Sequence, residues 1–84
     1  MNERQLALLS CILDQISTGR ELTRDLVSDC CYSTKPENSV ESDNAYEAWV
    51  NVFWGGIKGI PRSELIAAKQ SRKKIHDLLH RILT

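Results

Sequence analysis

The sequence predicts an all-α domain, either a small four-helix bundle or an orthogonal array of helices. Three observations carry that prediction. Apolar residues recur at three- and four-residue spacing in four separate segments, helix-start and helix-stop residues stand between those segments, and no run of strand length alternates apolar with polar side chains. A chain of 84 residues has material for one hydrophobic core, so residues 1–84 are read as a single domain.

The first helix is expected over residues 3–17. Leu6, Leu9, Leu13 and Ile16 form one face that Leu8 and Ile12 widen, while Asn2 with Gln5 suits the start and Gly19 suits a left-handed stop. A second helix is expected over 20–32, because Thr18 and Glu21 have capping-box spacing and Leu22, Leu26 and Cys30 recur every four residues beside Val27 and Cys31. Residues 33–42 are polar, contain Pro36 and show no periodicity, which makes them a long loop. Ser42 or Asp43 then caps a third helix over 43–54, closed by Gly55 and Gly56. A fourth and longest helix is expected over 61–83, with Pro61 in its first turn, where a missing N–H costs nothing. Its seam runs through Leu65, Ala68, Ile75, Leu79 and Ile82, and Arg72 interrupts it.

Composition narrows the class of protein. The chain is 42% hydrophobic and 26% charged, the balance of an ordinary folded domain. Its apolar runs fall far short of the roughly 20 residues that span a bilayer, and no secretory signal is read at its start. The thiols Cys11, Cys30 and Cys31 are odd in number and two are adjacent, so they are expected to be reduced, buried apolar groups in a cytoplasmic protein. Charge is divided along the chain: residues 1–57 carry four cationic and nine acidic side chains, residues 58–84 seven and two.

Three surfaces stand out as candidates for contact. On the third helix the apolar arc is too wide for one core-facing stripe; Ala45, Trp49, Val52 and Phe53 are expected in the core, and the adjoining stripe Tyr46, Val50 and Trp54 is either covered by the other three helices or, because so small a domain cannot bury everything, placed at a protein interface. The last helix carries a basic surface of Arg62, Lys69, Lys73, Lys74, His76 and His80, either a solvated face whose charge suits the helix C-terminus or a surface for an acidic protein or for phosphates. Glu21, Asp25 and Asp29 form an acidic ridge on the second helix.

Chemistry beyond binding finds no support in the residues. His76 and His80 have the i, i+4 spacing of two metal ligands, but nothing supplies the other half of a site, so no metal is expected. Gly55, Gly56 and Gly59 match neither phosphate-binding glycine pattern, and no nucleophile has a base near it in sequence, so neither cofactor nor catalysis is expected. The expected function is that of a small non-enzymatic protein-binding regulator, such as a stoichiometric inhibitor, an adaptor or a regulatory subunit. Self-association of the acidic part of one copy with the basic part of another belongs to the same expectation. The alternative is a DNA-binding transcriptional regulator with a helix-turn-helix over residues 52–70, in which Gly59 makes the turn and Arg62, Ser63 and Lys69 approach DNA. Small accessory proteins of bacteriophages and mobile elements share this size class, and the likeness extends no further.

Overall fold

The computed structural model describes residues 3–35 and 43–84. Their regular structure consists of five α-helices, α1 (Glu3–Ser17), α2 (Arg24–Ser33), α3 (Asp43–Ile57), α4 (Arg62–Ala68) and α5 (Arg72–Leu83). Helices α1, α2, α3 and α5 pack in a closed ring, each against its two neighbours, and the short α4 lies across α1 and α5. The core inside this ring is drawn from every helix, with Leu8, Leu9, Ile12, Leu26, Val27, Phe53, Ile57, Leu65 and Leu79 fully buried. No helix among the described residues is long and apolar enough to cross a membrane.

The helix boundaries follow from local hydrogen bonding and correct four expectations. α1 stops as anticipated at Gly19, whose φ of 102° is the one positive value among the described residues, and the N–H groups of Gly19 and Arg20 close on the carbonyls of Ile16 and Gln15. Thr18 does not cap α2. Its hydroxyl turns back to the Gln15 carbonyl at 2.7 Å, and Thr23 caps instead by accepting from the Leu26 N–H at 3.1 Å, so residues 20–23 are a link and α2 begins at Arg24. The expected caps Asn2 and Ser42, and residues 36–42 of the polar loop, lie outside the described residues; Asp43 is the first residue of α3.

Gly55 and Gly56 do not end α3. The helix runs through both to the fully buried Ile57, and the chain turns afterwards, through Lys58 to Pro61, where the Ile60 N–H bonds the Ile57 carbonyl at 3.0 Å. Gly56 is the point at which α3 comes closest to the backbone of α5, at Ile82. Pro61 is the residue before α4 rather than within its first turn, and its carbonyl receives the N–H groups of Glu64 and Leu65.

The expected helix over 61–83 is two helices. α4 ends at Ala68, residues 69–71 turn, and Ser71 caps α5. The break explains why the seam is not continuous: α5 restarts in a new phase that buries Leu78, Leu79 and Ile82 and leaves Ile75 half-buried. Arg72, which would have intruded on an unbroken seam, becomes an exposed residue of the first turn of α5.

Candidate functional site

The stripe expected at an interface faces inward. Val50 is 1% exposed, Trp54 packs half-buried against the core, and the Tyr46 hydroxyl donates to the Ser28 carbonyl of α2 at 2.7 Å while accepting from the Ser28 hydroxyl at 2.7 Å. The physical reason lies in the length of α3. With Ile57 included, Val50, Phe53 and Ile57 form an i, i+3, i+7 row, and that row sets the buried face. Stopping the helix at 54 hides Ile57 and shifts the apparent centre of the apolar arc.

The other side of the arc, expected in the core, lines an open cleft. Ala45, Ala48, Trp49 and Val52 of α3 meet Gln5 of α1 and Leu83 of α5 around a volume of about 350 Å³. Val52 is 49% exposed there, whereas Trp49 is half-buried, its ring 6.0 Å from that of Phe53. The Arg4 guanidinium lies 5.9 Å from the Trp49 ring centre and also donates to Thr34 Oγ1 at 2.7 Å and to the Cys31 carbonyl at 3.1 Å. One wall of the cleft is thereby tied to α2. Asn44, Ala48, Asn51, Val52 and Gly55 on the outer side of α3 carry no charge.

The acidic ridge is exposed at all three positions, but Glu21 belongs to the link before α2 and Asp29 is 3.4 Å from Arg20. Sequence reasoning missed Tyr32, which is 72% exposed and continues the row Asp25, Asp29 along α2. Its spacing from Asp25 was the available signal. Arg24 joins α2 to α3 by reaching Glu47 at 2.8 Å and Asn51 at 2.9 Å.

The basic residues do not form one surface. Arg62 donates to the Ile16 carbonyl at 3.0 Å, satisfying the end of α1, and Lys69 is 3.0 Å from Asp14, so both hold α4 to α1. Of the helix-turn-helix expected over 52–70, the turn does fall at Gly59 between α3 and α4, with Leu65 and Ala68 inward, but the two helices do not pack on each other, α4 has only seven residues, and Arg62 and Lys69 of its DNA-facing set are tethered to α1. Lys73, Lys74 and His80 are exposed on α5, His76 is half-buried, and Arg72 joins them. Arg81 pairs with Glu64 across a groove between α4 and α5. No cluster of metal-ligating side chains includes His76 and His80 among the described residues.

All three thiols are free. Burial first, and the neighbouring Cys11 second, push the Cys30 thiol far above its ordinary pKa, which keeps it protonated and a poor nucleophile. Cys11 is half-buried, with Sγ 3.7 Å from Ser33 Oγ. A thiol-reactive chromogenic reagent is therefore expected to modify Cys11 first in the native protein and Cys30 and Cys31 only on unfolding; prompt modification of all three would contradict this burial.

Comparison with known proteins adds no relative: no family model, curated protein or solved structure matches the chain.

Proposed function

We propose that this protein is a small, non-enzymatic regulator that binds one protein partner stoichiometrically, through the cleft between α1, α3 and α5. The observation that carries the reading is Val52, 49% exposed beside Trp49 among the exposed, uncharged Asn44, Ala48, Asn51 and Gly55, with Glu47 at the edge of that face held by Arg24. Surface helices ordinarily present charged side chains to water, and loss of charge around an apolar and aromatic centre marks the middle of a protein interface. Ala45, Ala48, Val52 and Gly55 recur at three-four-three spacing, so a helix laid along α3 meets small side chains and approaches closely. The fitting partner is an amphipathic helix that presents its apolar side. Three free thiols, two of them buried side by side, support a reducing compartment such as the cytoplasm.

The test is affinity capture from the native host with the wild-type chain and with Val52→Asp. An exposed position tolerates the carboxylate, so circular dichroism is expected to be unchanged while a partner retained in about equal amount by the wild type is lost, with ~2 kcal/mol or more of binding removed, as for a central contact. Capture of the same partner by a folded Val52→Asp chain would overturn the reading. So would a wild-type chain that retains only further copies of itself.

A further inference from the structure

We propose that α4, the turn at 69–71 and α5 form a helix-turn-helix that binds double-stranded DNA, with α5 in the major groove. The site uses the charged side of α5, whereas the cleft takes from that helix Leu83 at its end, and it does not depend on the cleft. Three features of the structure converge on this surface.

The first is the frame. A seven-residue helix joined to a twelve-residue helix by a three-residue turn has the connection of a DNA-binding helix-turn-helix, in which the second helix enters the groove. α1 packs on both helices, and Arg62 on the Ile16 carbonyl with Lys69 beside Asp14 fixes α4 against it. At 1.5 Å per residue α5 is roughly 18 Å long, enough for two or three turns of side chains to meet the groove.

The second is the charge on α5. Arg72, Lys73 and Lys74 are exposed and form no ion pair among the described residues, and they sit in the turn where the helix dipole is positive and no acidic residue is present. Stability alone favours acids there. His80 extends the hydrogen-bonding row to the far end of the helix, and Asp77 between them can accept from a base amino group.

The third feature separates DNA from an acidic protein. The exposed side chains of α5 are Arg72, Lys73, Lys74, Asp77, His80 and Arg81, without one apolar anchor. A protein interface centres on such anchors, whereas a groove is read by hydrogen bonding and its phosphates by cations. Duplex RNA fits α5 less well than DNA because its major groove is too narrow and deep for side chains to read.

Fluorescence anisotropy of the full chain with a labelled DNA duplex of about three helical turns (~30 base pairs) tests the proposal, beginning near 50 mM salt. Three phosphate contacts predict a loss of affinity of roughly 40-fold between about 50 and 200 mM salt. Lys73→Ala with Lys74→Ala is expected to weaken binding at least ~10-fold and to reduce the salt slope by about two, while Lys35→Gln on the α2 side leaves it unchanged. No binding at low salt overturns the proposal. Binding that the double variant does not change, or equal binding to duplex RNA or polyglutamate, also overturns it.

Discussion

Val50→Asp is expected to abolish the folded state. Val50 is 1% exposed in a core whose buried side chains, among the described residues, are all apolar or thiol, so an introduced carboxylate has no partner. An unpaired buried charge costs about 4 kcal/mol or more, comparable with the whole stability of a domain this small. Circular dichroism and a urea titration check it, with loss of helix and of a cooperative transition as the expected result. Val52→Asp, only two positions away, should retain both. A sharp transition near the wild-type midpoint for Val50→Asp would mean that α3 presents its other side to the core.

The adjacent glycines of α3 are expected to respond with opposite signs. A Cβ at Gly55 meets no atom within 4 Å, so Gly55→Ala gains helix propensity and loses nothing, for a stabilisation of about 0.5–1 kcal/mol. A Cβ at Gly56 would run into the Ile82 carbonyl oxygen, with Ile82 Cγ2 at 2.8 Å and Ile82 Cα at 2.9 Å. Because two of these atoms are backbone, α5 itself must move, and overpacking of that kind costs about 1–3 kcal/mol or more, outweighing the propensity gain. Midpoints of urea unfolding measured side by side decide the matter. Equal shifts in one direction would place the α3–α5 contact elsewhere.

The helical class, the extent of α1 and its left-handed stop at Gly19 were legible because periodicity and stop residue agreed there. What misled was punctuation. Glycines read as a helix end are in one case a contact surface, which sequence alone does not distinguish from a break. Lys69, Gln70 and Ser71 lack glycine or proline, so the turn between α4 and α5 was hidden inside an apparently continuous seam, although a serine before a periodic run is a start signal. The interface stripe failed for a related reason, since Ile57 lay beyond the supposed end of α3 and could not vote for the buried face. Arg62 and Lys69 were visible as cations, but their carbonyl and carboxylate partners lie on α1, distant in sequence.

The closed ring of helices also dictates when the chain can become stable during synthesis. α1 packs on α2, α4 and α5, so the apolar face of Leu8, Leu9, Ile12, Leu13 and Ile16 is only partly covered until α5 has emerged. At 5–20 residues per second that interval is roughly 3 to 13 s. Native protection of α1 is therefore a late event on the ribosome, and a chain halted after α3 would present α1 to proteases and to other nascent chains.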